Sequence, residues 1–175
     1  MHIGHINLSA SLDETGEHFI VLVETLRSQG QHQHLVVGNA ALAKRLRRLD
    51  RVAVAPVVRS PVSAFCLMPS LDVVHIHDPE AGQAGLLLTL TRSIPFVLTH
   101  RGALPGRNPL TQAIYRRASL VVCLDDSDQA LLRHYDPSIS VAVLPDITHG
   151  GSATDHLRIY QNSQRMPMAG SSGSQ

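Results

Sequence analysis

Residues 71–102, LDVVHIHDPEAGQAGLLLTLTRSIPFVLTHRG, constrain the fold of this chain more than any other stretch. Asp72-Val73-Val74-His75-Ile76-His77 is a short apolar run with β-branched residues, the pattern of a buried strand. Asp78-Pro79 stops it, and Pro79 suits the first turn of a helix, where its missing N–H would find no partner anyway. Residues 81–92 are rich in Ala and Leu and predict a helix of about three turns. Ser93-Ile94-Pro95 breaks that helix, and Phe96-Val97-Leu98-Thr99 predicts a second strand. Buried strands joined by one helix run parallel, with a right-handed crossover. Both strands end in polar groups, His77-Asp78 and His100-Arg101-Gly102, and in open α/β sheets ligands bind at the carboxyl ends of strands.

The alternation continues on both sides. Residues 2–8 predict a first strand, with Ile3, Ile6 and Leu8 available to a core. A polar turn at 13–16 leads to a helix over 17–28, where Phe19, Leu22, Val23 and Leu26 recur at helical spacing. Residues 32–37 predict a strand, 40–49 a helix, 51–58 a short strand interrupted by Pro56, and 60–68 a short helix. Beyond the central unit, Pro109 opens a helix over 109–117, 119–124 form an apolar strand, Asp125-Asp126-Ser127 caps a helix reaching His134, and 140–144 form a last strand. Strict alternation predicts an α/β class: one Rossmann-like domain, a mainly parallel sheet of about seven strands, helices on both faces.

The composition removes several functions. Formal net charge is +1, which gives no argument for nucleic acid, and with no Trp, three Phe and three Tyr a base-stacking platform is not expected. No apolar run reaches the ~20 residues that span a bilayer, and the first residues lack the basic-then-apolar pattern of a signal peptide, so a cytoplasmic location is expected. Cys66 and Cys123 lie in apolar surroundings and are expected to be buried free thiols. No Ser-His-Asp or Cys-His arrangement, P-loop or G-x-G-x-x-G fingerprint is legible.

The motifs in this order resemble the N-terminal, acceptor-side domain of family 4-like glycosyltransferases of the GT-B fold. Gly16-Glu17 stands where members carry "GG-x-E", with one glycine missing, and residues 26–33 loosely match "L-x-x-x-G-H-x-V". Asp72-Val73-Val74-His75-Ile76-His77 matches "D-V-V-H-x-H" intact. Residues 95–104 are similar to "P-x-V-x-S-P-R-G-x-L", and 116–122 to "R-R-A-x-x-V-V". Three departures accompany the match. The interdomain motif "I-P-N-G-V-D" reads Leu144-Pro145-Asp146-Ile147-Thr148-His149, without its glycine; Asp125 stands where a Ser is usual; and a donor-binding domain does not follow. The resemblance implies residues 1–146 as a glycosyltransferase-like N-terminal domain. Residues 147–165 then form a linker and a short C-terminal helix packing back on it, and 166–175 a disordered Gly/Ser-rich tail.

The resemblance implies a cleft lined by Gly16, Glu17, His77, Asp78, His100, Arg101 and Gly102, with no catalytic base named. Gly16 lies at a helix start, whose unpaired amides attract phosphate, although an ordinary loop gives the same signal. Glu17 suits the helix dipole or serves only as a cap. His75 and His77 are two apart and share one side of a strand; one lines the cleft or bonds a neighbouring turn, or both are satisfied core residues. With Asp78 the one further ligand near in sequence, no metal is expected. Arg101 suits a phosphate or an anionic acceptor, or else a salt bridge to Asp78 or Glu80. Lys44, Arg45, Arg47, Arg48 and Arg51 cluster on a short helix that either meets an anionic membrane at its inner face or is a solvated surface.

The function so implied is the acceptor-side half of a retaining, nucleotide-sugar-dependent glycosyl transfer in glycan, polysaccharide or lipopolysaccharide synthesis. The acceptor is a glycan or a lipid-linked sugar. No cofactor is expected, and a nucleotide-sugar donor only with a partner donor domain. A partner chain or a homo-oligomer completes the picture. The alternative is a non-catalytic binding or partner subunit derived from such a domain, or a remnant that keeps the fold without activity.

Overall fold

The computed structural model describes residues 1–9, 14–102, 104–144 and 152–165. The strands are β1 (His2–Asn7), β2 (His32–Val37), β3 (Val52–Val54), β4 (Val73–Ile76), β5 (Phe96–Thr99), β6 (Leu120–Cys123) and β7 (Val141–Val143). The helices are α1 (Glu14–Ser28), α2 (Ala40–Leu46), α3 (Pro61–Leu67), α4 (Gly82–Arg92), α5 (Pro109–Arg117), α6 (Asp126–Tyr135) and α7 (Ala153–Arg165). All seven strands form one parallel sheet in the order β3-β2-β1-β4-β5-β6-β7. The expected single Rossmann-like α/β domain with about seven strands is what forms.

The order dictates the layers. From β1 the chain steps one way, through β2 to β3; from β4 it steps the other way, through β5 and β6 to β7. Because each crossover is right-handed, the two directions place their helices on opposite faces. Side chains of α1 and α2 (Phe19, Ile20, Leu22, Val23, Leu42, Leu46) pack on one face. Residues of α3 to α6 (Ala64, Leu88, Ile114, Leu132) pack on the other. The last helix, α7, returns to the α1 face and seats Tyr160 among Ile3, Leu22, Leu26 and Val73. Both central strands are therefore covered on both sides, which is why β4 and β5 are buried along their whole length.

Local chemistry sets the boundaries. Asn39 caps α2, accepting from Ala41 and Leu42 N–H at 2.9 and 3.1 Å. Asn108 caps α5 with Pro109 at its first position, and Asp125 caps α6 by accepting from Asp128 N–H at 2.8 Å. Some elements differ from the expectation. The first helix starts at Glu14 rather than Glu17, the second ends at Leu46, and a 3-10 turn, Pro79–Ala81, precedes α4. The strand expected over 51–58 is only Val52–Val54, because Arg51 takes a left-handed φ of 60° and Pro56 has no N–H for a ladder. Cys123 is buried, but Cys66 is exposed, on the outer side of α3, which corrects the expectation of two buried thiols. The Pro145-to-His149 motif and residues 166–175 lie outside the described residues.

Candidate functional site

The strand order reverses between β1 and β4, so the helices that follow them diverge to opposite faces, and the carboxyl ends of these strands are where open α/β sheets receive ligands. On the α1 side of this switch point three imidazoles meet: His5 from β1, His75 from β4 and His77 just past its end. His5 Nδ1 and His77 Nε2 are 3.0 Å apart, one donating to the other, and the ring centroids of His75 and His77 lie 4.0 Å apart with the planes tilted by 36°. Each of the three offers a ring nitrogen within 4.8 Å of the others. His75 is engaged at both nitrogens, Nδ1 with the Tyr160 hydroxyl at 2.7 Å and Nε2 with Thr99 Oγ1 at 2.8 Å. Phe19 closes the cluster with its ring set edgewise on His77 at 4.7 Å.

Burial governs the charge here. It pushes His5 down to about 3, with His156 adding to the effect and Gln33 opposing it. His75 and His77 are held well below the ordinary histidine range, first by burial and then by neighbouring imidazoles and the Arg101 guanidinium. All three are neutral at pH 7. His18 from α1 and His156 from α7 extend the group, 6.4 Å apart, with His156 6.1 Å from His75. Burial also raises the Tyr160 phenol, which stays protonated.

The expected site residues are distributed as follows. Gly16 is buried in the first turn of α1, and Glu17 is exposed and paired with Arg45 of α2 at 3.2 Å. Asp78 bridges the two strand ends at the switch point: its Oδ2 accepts from Leu8 N–H at 2.7 Å and its Oδ1 from Ala81 N–H at 2.8 Å. These bonds tie the exit of β1 to the 3-10 turn after β4, while burial still raises the Asp78 carboxyl above its usual range. Arg101 is half-buried and its charge reaches His75 and His77. Gly102 adopts a φ of 74°, a turn conformation that glycine accepts without strain. His100 does not join His77. Thr99 faces the α1 side, so the next residue points away from it, and His100 Nδ1 meets the Tyr115 hydroxyl of α5 at 2.8 Å. Strand ends that are neighbours thus present their histidines to opposite faces.

The basic cluster is divided among local partners. Arg45 pairs with Glu17, Arg47 donates to the Ala55 carbonyl at 3.3 Å, and Arg51 lies 4.0 Å from Asp50. Lys44 and Arg48 are exposed.

Reading the sequence for motifs missed His5, Thr99 and Tyr160. One signal was available: a histidine in the middle of a strand buried on both faces needs a polar partner. A cleft of about 500 Å³ lies at the opposite end of the sheet, lined by His2, His32, His34, Arg51 and Leu71. It sits at the amino ends of the strands, away from the carboxyl ends where such sheets bind ligands, and the switch point is the better candidate.

No family model matches this chain, and no curated protein matches it. Solved structures do. HepE of Anabaena in complex with UDP aligns with a TM-score of 0.65 at 15% identity, over 83% of this chain and 44% of that one. The same protein in complex with UDP-glucose aligns with a TM-score of 0.66 at 14% identity. Apo UGT2 of Phytolacca americana aligns with a TM-score of 0.51 at 12% identity, over 99% of this chain and 58% of that one. At these identities the likeness is one of fold, that of a Rossmann-like half of a GT-B structure. This chain spans less than half the length of HepE.

Proposed function

We propose that this chain forms the acceptor-side half of a glycosyltransferase. The observation that carries the reading is the alignment over 83% of this chain with HepE in complex with UDP and with UDP-glucose. The switch point between β1 and β4 supports it, since it is where an open α/β sheet receives a ligand. In this reading Gly16, His77, Asp78, Arg101 and Gly102 border the acceptor side. The donor half, which would hold a nucleotide sugar, comes from further chain or from a second polypeptide. Retention of configuration, membership of family 4 and a role in polysaccharide synthesis extend the same proposal from the motif resemblance.

One observation favours a second reading, a binding or partner subunit without catalysis. Both oxygens of Asp78 are taken by backbone amides, which suits a structural carboxylate better than a general base. Calorimetry with UDP and UDP-glucose, followed by a transfer assay with and without an added donor-type domain, separates the two. Turnover only on mixing supports the half-enzyme. Acceptor binding with no turnover on mixing supports the partner subunit. Tight UDP-glucose binding by the lone chain overturns the assignment to the acceptor side.

A further inference from the structure

We propose that His5, His75 and His77 form a site for a single first-row transition-metal ion of the zinc class, buried at the switch point. The proposal goes beyond glycosyl transfer and does not depend on it.

Geometry comes first. The donors arise from adjacent parallel strands, His5 pairing directly with His75 in register and His77 one pleat further on. Their nitrogens lie within 4.8 Å of one another, and the His5–His77 pair is already at 3.0 Å. Zinc–nitrogen bonds of about 2.05 Å at a tetrahedral angle place two nitrogens about 3.3 Å apart. The pair therefore opens by only a few tenths of an ångström when an ion replaces the proton they share. Three protein imidazoles also leave a fourth position for an outside ligand.

The surroundings supply what ligating histidines need behind them. A metal-bound imidazole normally donates its second N–H to an oxygen, which fixes its orientation. Gln33 is buried beside His5, and its Nε2 donates to the Val23 carbonyl at 2.9 Å, which leaves Oε1 to face the imidazole. Among the described residues, neither His5 Nε2 nor Gln33 Oε1 has a hydrogen-bond partner of its own, although Gln33 acts on the His5 charge as a bonding neighbour. Closing that contact makes Nε2 the protonated nitrogen and turns the Nδ1 lone pair toward His77. His75 has oxygen partners at both nitrogens, Thr99 and Tyr160, so ligation exchanges one bond for the metal while the other orients the ring. Burial keeps the imidazoles neutral, the form that ligates.

Charge sets the fourth ligand. Three neutral donors leave the ion doubly positive, and Arg101 adds positive charge nearby. The open position therefore takes an anion, hydroxide or an anionic group of a ligand, entering from the strand ends beyond His77.

The test is metal binding by the whole chain after treatment with a chelator. Zinc is titrated against a chromophoric competitor, and cobalt(II) is followed by its ligand-field absorption. One equivalent of zinc and the intense spectrum of four-coordinate cobalt are expected. Gln33→Leu should weaken zinc binding about 10- to 100-fold, since it removes only the oxygen behind His5. His77→Phe should abolish one-to-one binding. The double substitution His32→Ala, His34→Ala, at the far end of the sheet, should leave it unchanged. If His77→Phe does not fold, proton NMR of the cobalt-loaded wild type decides through contact-shifted imidazole resonances, expected from three histidines. Binding only at millimolar zinc, full binding by folded His77→Phe, or loss of binding in the His32/His34 variant would each overturn the proposal.

Discussion

The His-x-His pair of β2 and that of β4 begin from the same spacing and end in opposite environments. His32 opens β2 at the amino end of the sheet, exposed and stacked on His2 at 5.3 Å, and His34 is half-buried, with Nε2 bonded to the Leu67 carbonyl at 3.1 Å. His75 and His77 are buried at the carboxyl end of β4, beside the point where the strand order reverses. One pair stands at least partly in contact with solvent. The other must find every partner inside the protein, because an unpaired polar group there costs about 1–3 kcal/mol. The environment of a histidine pair thus follows from which end of which strand carries it.

The largest expected contrast is with pH. His5 sits at about 3 in the fold against an ordinary 6.5, and His75 and His77 are lowered in the same direction. The unfolded chain therefore binds protons that the fold refuses. Stability is full above pH 6.5 and is lost as pH falls from there toward 3. By pH 4 the His5 contribution alone amounts to about 3 kcal/mol for the metal-free protein. Denaturant midpoints measured from pH 7 to 4 should fall steeply, and a flat profile would mean that the cluster is not buried neutral. Next comes direct substitution. His75→Leu strands the Tyr160 and Thr99 hydroxyls and should lower stability by about 2–5 kcal/mol, whereas His34→Leu should change it by under about 1 kcal/mol. Similar losses in urea melts would erase the distinction between the two pairs. Smaller again, Tyr160→Phe removes one bond to His75 and should lower stability by about 1–2 kcal/mol, read in the same melts. A neutral result would mean that α7 adds packing but no polar anchor.

The two cysteines repeat the contrast without an effect on stability. Burial pushes the Cys123 thiol up to about 12, while Cys66 is exposed. A thiol reagent should label Cys66 alone in the native protein and both after unfolding.

Much of the fold is legible from local pattern. The βαβ unit at 71–102 declares itself through its apolar runs and breaks, and Pro109 and the Asp125 cap mark helix starts directly. The site is legible only in part. Two-residue spacing places His75 and His77 on one side of a strand, but their partners stand far away in sequence: His5 72 residues before His77, and Tyr160 85 residues after His75. The grouping of His77 with His100 failed for a related reason. Neighbouring strand ends suggest one wall, but the face that each residue presents depends on its parity within the paired register, here His75 beside Val97.

Elements, class and strand direction follow from the amino-acid sequence alone, because the apolar period and the Pro, Gly and Asn signals act over a few residues. Tertiary structure decided that β1 and β4 lie side by side, that α7 brings Tyr160 onto His75, and that His100 faces Tyr115 instead of His77. Those outcomes rest on strand order and register, which the whole core selects by burying every strand on its proper face, and no local stretch encodes them. Residues 71–102 carry two of the three clustered imidazoles, and the fold supplied the third.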